Sequence, residues 1–382
     1  MEFKKQLTEN ILPFWLKNSI DYENGGIYTC VDRNGNIYGT DKSVWFQGRA
    51  LWTFSKAYNI IEKNPEYIKA AETIYSFLDK CTDTDGRMYF TVTADGREIQ
   101  KRRYYFSETF AAIGCAELYK ATGRKDVWEK AEQYFNVAYE CFKGVRKTQP
   151  KFNPDNQDYK ALSPVMIMLS TAQVMRSVDK EKYAPIATEC LSEILNGGYI
   201  TEKALMENVT KSGKFSDTPT GRIVNPGHSL EAAWFIMSEG LASGNDEAKQ
   251  TAMDIIDKTF PIGWDKKHGG IIAFTDVNGK PPVQLEWDMK LWWPQCEAMI
   301  ATRLAYIVSK DEKYLGMYEQ LKEYSEKYFV DKECGEWYGY LHYDNTPSTD
   351  LKGNIFKGPF HIPRFYMIMS VMDETNNIIK FM

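Results

Sequence analysis

Six times along this chain, a short cluster of aromatic, small and ionisable residues opens a stretch with helical periodicity. The clusters are Val44-Trp45-Phe46-Gln47-Gly48-Arg49, Tyr105-Phe106-Ser107-Glu108, Pro164-Val165-Met166-Ile167-Met168, Gly227-His228-Ser229-Leu230-Glu231, Trp292-Trp293-Pro294-Gln295-Cys296-Glu297 and Phe360-His361-Ile362-Pro363-Arg364. With Arg49, Glu108, Met168, Glu231, Glu297 and Arg364 as markers, successive positions differ by 59, 60, 63, 66 and 67 residues. Spacing this even signals a repeat in which each unit buries its apolar face against the next.

Apolar residues at i, i+3, i+4 and i+7 predict helices near 2–18, 43–61, 66–80, 106–122, 125–143, 160–178, 182–195, 228–242, 246–259, 292–309, 312–328 and 361–378. Their character alternates. Helices such as 125–143 and 312–328 carry one apolar stripe and a Lys/Glu-rich face, whereas Ser163 to Met175 and His228 to Met237 are apolar nearly all round and belong inside. Alternating outer and inner helices at this period predict an all-α fold, an (α/α)6 barrel. Gly-punctuated segments such as Asn24-Gly25-Gly26 and His268-Gly269-Gly270 supply short β-hairpins that cap one end. At 382 residues the chain exceeds the usual single-core size, yet no Pro/Gly/Ser-rich linker divides it, so one closed catalytic domain over 1–382 is expected.

Bulk properties narrow the function. A net charge of -5 with interspersed signs argues against a nucleic-acid partner. The N-terminal Met1-Glu2-Phe3-Lys4-Lys5-Gln6-Leu7 lacks the apolar region of a signal peptide, no run reaches membrane-spanning length, and the seven cysteines are scattered, so a cytoplasmic protein with reduced thiols and no membrane partner is expected. No dinucleotide fingerprint, phosphate loop or close histidine pair occurs, which points away from nicotinamide and from a required metal.

The ionisable residues of the clusters carry the chemistry. Pro226 and Gly227 precede a helix start, so His228 lies in the first turn with Glu231 one turn further on the same face; the competing reading is a helix cap with a capping-box glutamate. The same step joins His361 to Arg364, and two of the chain's four histidines thus occupy equivalent places in two repeats. Arg49 is costly to bury in an apolar helix without an anionic or hydroxyl-rich partner. Trp45 and Trp293 offer faces to a sugar ring, and Glu297 and Lys290 offer polar groups. Glu108 pairs with Arg49 or meets the ligand, and Met168 is packing or pocket wall. His268 and His342 read as peripheral. Imidazole titrates near neutrality, so two histidines with flanking carboxylates and arginine favour proton abstraction and return; Glu231 and Glu297 keep a glycoside hydrolase as the alternative.

Five motifs, Val44 to Arg49, Asn225 to Ala232, Met289 to Pro294, Glu297 to Ile300 and Phe356 to Arg364, closely resemble those of the N-acylglucosamine 2-epimerases, also known as renin-binding proteins. The resemblance runs in order from about residue 10 to 370, within a superfamily that includes cellobiose 2-epimerases and mannose isomerases. It implies a sugar 2-epimerase interconverting N-acetyl-D-glucosamine and N-acetyl-D-mannosamine. His228 and His361 would be the acid/base pair, Arg49, Glu231 and Glu297 the orienting and stabilising groups, and Trp45, Glu108, Met168, Lys290, Trp293 and Arg364 substrate contacts. Pro164 to Met168 lacks the extra histidine of cellobiose epimerases, while Gln295 and Pro359 depart from the acylated-sugar pattern. An epimerase or an aldose-ketose isomerase acting on non-acylated sugars such as mannose, glucose or cellobiose stands as the alternative. The resemblance also implies a homodimer and, for several members, ATP as an activator that is not consumed; Lys147 to Lys160 occupies the corresponding loop without a phosphate-cradling motif.

Overall fold

A computed structural model describes residues 2–150, 153 and 155–382. The loop Lys147 to Lys160 includes residues 151, 152 and 154, which lie outside the described set. Among the described residues, six inner helices, α3 (Val44–Ile60), α5 (Phe106–Thr122), α7 (Leu162–Arg176), α9 (Pro226–Ser243), α11 (Trp292–Ser309) and α13 (His361–Thr375), pack each against the next, and α13 returns to α3 to close the ring. Outside them lie α4 (Pro65–Tyr75), α6 (Lys125–Phe142), α8 (Lys180–Asn196), α10 (Asp246–Gly263) and α12 (Glu312–Tyr328), with the ring completed by α1 (Phe3–Gln6), a π-turn over Leu7–Ile11 and α2 (Leu12–Asn18). This is the (α/α)6 barrel. None of these helices is long and apolar enough to cross a membrane.

Burial follows the sequence pattern. Inner helices bury residues on every side, as in α9 from Ser229 to Gly240, whereas α6 buries only a stripe from Val127 through Ala131, Tyr134, Phe135 and Ala138 to Cys141. Asn or Asp side chains cap α4, α8, α10 and α12 at Asn64, Asp179, Asn245 and Asp311.

The inner helices start from segments joined by short antiparallel pairs. β1 (Lys42–Ser43) pairs with β2 (Thr91–Val92), and β2 with β3 (Glu98–Gln100); β4 (Tyr159–Ala161) pairs with β5 (Asn208–Thr210), β6 (Ile223–Val224) with β7 (Thr275–Asp276) and β8 (Lys290–Leu291) with β9 (Tyr340–Leu341). Apart from β2–β3, these join neighbouring repeats across the barrel mouth rather than forming local hairpins.

One device recurs at the turns leaving the outer layer. Asp21, Asp265 and Asp331 each use Oδ1 to accept two backbone N–H groups of their own turn. Oδ2 receives a buried lysine from just before the next inner helix: Lys42 at 2.7 Å, Lys290 at 2.6 Å and Lys352 at 2.7 Å. Burial depresses all three lysines, and their carboxylate partners oppose that shift. Gln47 and Gln295 act as matching brackets, each donating to and accepting from the backbone of one residue, Ile27 and Ile271 respectively. Gln295, a departure from the acylated-sugar pattern, is therefore a structural residue.

The tightest crossing is α3 on α5. A Cβ at Gly48 would lie 2.4 Å from Ala111 N, and one at Gly114 would lie 2.6 Å from Gly48 O, so both glycines permit backbone contact. Gly48→Ala must push α3 and α5 apart and should cost roughly 1–3 kcal/mol; urea denaturation with an unchanged midpoint would contradict this packing.

Candidate active site

The first turns of the inner helices surround a cavity of about 950 Å³. No side-chain hydrogen bond caps α3, α5, α7, α11 or α13. The leading N–H groups of α3, α7 and α11 go instead to backbone carbonyls of Phe90, Glu207 and Gly339. Aromatic rings, among them Trp45, Phe90, Tyr104, Trp293 and Phe356, form much of the wall.

His228, His361, Arg49 and Glu231 all border the cavity, as do Trp45, Trp293 and Arg364. At the start of α9 the capping role belongs to Asn225, whose side chain accepts from His228 N at 3.1 Å, with Pro226 in the first turn. Glu231 is therefore not a capping-box residue. It accepts from Arg364 Nη2 at 2.5 Å, across the barrel from α13.

Glu297 lies fully buried behind the wall, with both oxygens engaged. Oε1 faces His361 Nδ1 at 2.8 Å and Arg364 Nη2 at 2.7 Å, while Oε2 accepts from Trp234 Nε1 at 2.8 Å. Arg364 Nη2 is itself a donor and lies 3.3 Å from His361 Nδ1, so the shorter carboxylate contact assigns the proton to Nδ1 and leaves Nε2 as the basic nitrogen. Burial, followed by the positive charge of Arg364, holds the His361 imidazole well below its ordinary 6.5. His361 is neutral at physiological pH, the form a general base requires.

Glu231, Glu297 and His361 bring possible metal-ligand atoms within 4.8 Å of one another. The Arg364 guanidinium already contacts all three and supplies the positive charge there.

Arg49 sits in an aromatic cage. Its guanidinium carbon lies 4.0 Å from the ring centre of Phe110, 4.8 Å from Trp45, 4.9 Å from Phe360 and 5.1 Å from Phe46. Its Nε is buried and has no hydrogen-bond partner among the described residues. Burial lowers its pKa to about 9, so the group remains cationic at neutrality, with a donor to spare for a ligand oxygen.

The two histidines share one indole. Trp293 has its ring centre 5.2 Å from that of His228 and 5.7 Å from that of His361, each tilted by 39°. Gly227 permits this arrangement, because a Cβ there would lie 2.6 Å from the Trp293 ring.

Three other residues expected to contact the ligand lie elsewhere. Glu108 is fully buried, pairs with Arg87 Nε at 2.5 Å and accepts from Met88 N, so its partner is not Arg49. Lys290 is consumed by the Asp265 turn, and Met168 packs in the core beside Met166, which does border the cavity. His268 packs against Tyr343, away from the cavity. Sequence reasoning missed Glu207, whose Oε1 lies 2.9 Å from His228 Nδ1. Its one visible signal was an acid interrupting the apolar run Leu205-Met206-Glu207-Asn208-Val209.

Residues 26–361 match the model of the N-acylglucosamine 2-epimerase (GlcNAc 2-epimerase) family. The mouse N-acylglucosamine 2-epimerase is 35% identical over 379 residues, covering 94% of this chain and 88% of the relative. The cellobiose 2-epimerase of Dictyoglomus turgidum is 25% identical over 382 residues, covering 94% and 95%. The crystal structure of a D-mannose isomerase superposes with a TM-score of 0.84 at 19% identity, covering 97% of both chains. The chain belongs to the N-acylglucosamine 2-epimerase family. As a member it is a sugar 2-epimerase, hence an isomerase.

Within this epimerase the depressed His361 has a thermodynamic consequence. Below pH 6.5 the unfolded chain binds a proton on this histidine that the folded chain refuses, so the residue's contribution is present above pH 6.5 and lost as pH falls. Wild type should therefore lose more stability between pH 7 and pH 5 than His361→Asn, the gap growing by up to about 1.4 kcal/mol per pH unit. Parallel stability curves from urea titrations would contradict a neutral buried His361.

Proposed function

We propose that the chain interconverts N-acetyl-D-glucosamine and N-acetyl-D-mannosamine. In the ring-opened sugar, one histidine removes the proton at C2 and the electron pair moves toward the C1 oxygen. Arg49 holds the oxyanion through donors that meet no carboxylate among the described residues, and the other histidine returns a proton on the opposite face. No step consumes a cofactor. The observation that carries this reading is the pair of histidines that both border the cavity and pack against the Trp293 indole, each with a carboxylate at Nδ1. Inversion needs proton exchange at both faces, and two such nitrogens supply it.

The acylated substrate is supported by the higher identity to the mammalian N-acylglucosamine enzyme than to the cellobiose enzyme. It also suits the α7 wall, where Met166 and Ile167 lie beside Ser170 and Thr171, an apolar surface for an acyl methyl with hydroxyls at its edge. The cavity's volume favours one competing reading, a disaccharide such as cellobiose.

Proton NMR of N-acetylmannosamine in D2O should show N-acetylglucosamine carrying deuterium at C2, and His361→Ala should abolish it. Exchange of mannose, glucose or cellobiose with N-acetylmannosamine untouched would overturn the substrate and keep the mechanism. Arg49→Lys should lower kcat by about 10²- to 10³-fold while leaving the denaturation midpoint near wild type; a change in KM alone would contradict its role at the oxyanion.

A further inference from the structure

Behind His228 stands a carboxylate that the proposed function has not yet used. Glu207 immediately precedes β5, and its backbone bridges the approaches to two inner helices: its carbonyl accepts from Leu162 N at 3.0 Å and its N–H donates to Ile223 O at 3.3 Å. Tyr159, Lys160 and Ala161 hold the following strand in register with Thr210, Val209 and Asn208. The side chain therefore starts from backbone fixed on both sides, and its Oε1 meets His228 Nδ1 at 2.9 Å. Glu207 does not border the cavity, whereas His228 does.

This pair parallels His361 with Glu297, but the two differ in charge balance. Glu297 shares its charge with Arg364 and is fully buried. Among the described residues no lysine or arginine pairs with Glu207, whose side chain is 14% exposed. Accepting from Nδ1 fixes the tautomer in which the proton sits on Nδ1 and Nε2 is the basic nitrogen, and stabilises the imidazolium once Nε2 has taken a proton.

We infer that Glu207 is the positioning carboxylate of His228, orienting the ring and fixing its proton on Nδ1 for exchange at Nε2 on one face of the sugar. The inference rests on the proposed proton-transfer reading of the site. Glu207→Gln keeps the shape but replaces the obligate acceptor with a group that can donate to Nδ1, which favours the unproductive tautomer.

The test pairs kinetics with the histidine tautomer. Glu207→Gln should lower kcat for epimerisation roughly 10²-fold, with KM within about threefold of wild type and an unchanged urea midpoint. The chain has four histidines, so long-range ¹H–¹⁵N spectra of ¹⁵N-histidine-labelled protein, with His228→Asn for assignment, report the tautomer directly. Wild type should show His228 protonated at Nδ1, and Glu207→Gln should shift it toward Nε2. If Glu207→Gln destabilises the chain, Glu207→Asp is the second variant, expected to keep the fold and lose kcat because its carboxylate falls short of the ring. A wild-type kcat in either folded variant, or an unchanged tautomer in Glu207→Gln, overturns the inference while leaving the proposed function standing. A wild-type chain that exchanges the C2 proton of no sugar overturns both.

Discussion

The Arg364 guanidinium is the contact on which the site depends. One nitrogen touches Glu231 from α9, Glu297 from α11 and the His361 ring of its own helix. It binds three consecutive inner helices at the depth where the cavity begins, and sets one guanidinium against two buried carboxyl groups. Without that cation the two carboxyl groups would lose their shared partner, and Glu297 would no longer be held in place at His361 Nδ1. Removing one partner from a buried ionic cluster typically costs about 3–5 kcal/mol, because the remaining charges stay buried and unpaired. The same cation lowers the affinity of His361 for a proton, so a structural link and the preparation of a base are one interaction.

The rest of the barrel keeps this cluster in place. The three Asp–Lys turns and the two glutamine brackets fix the segments that lead into inner helices, and the strand pairs between repeats prevent them from moving independently. Gly48 brings α3 against α5, so that Arg49 meets Phe110, and Gly227 lets Trp293 reach both histidines. The result is a site assembled from six helix starts, each placed by packing rather than by a ligand.

Much of this was legible in the sequence. The ring of helices follows from the apolar periodicity and the even spacing of the clusters. His228, His361, Arg49, Glu231, Trp45, Trp293 and Arg364 reach one cavity because helical phase and repeat position agree. Helical phase says nothing about depth or about cross-chain partners. Glu108 lies on an inner helix but turns to Arg87 and the Met88 backbone, and Lys290 precedes α11 but is drawn into the Asp265 turn. Glu207 stands 21 residues before His228, in a segment whose strand is set by pairing with β4. No spacing rule joins the two. The pairs between repeats were equally hidden, because most are two residues long and depend on the closed ring.

The central claim is that two different groups serve the two faces of C2. The most direct measurement is the deuterium content at C2 of both epimers in D2O at low conversion, by mass spectrometry of the separated sugars. With two histidines acting across the sugar, each new product molecule should carry one solvent deuterium while the unreacted sugar stays protiated. Product retaining the substrate's own proton would mean that a single base removes and returns it, and would contradict the account.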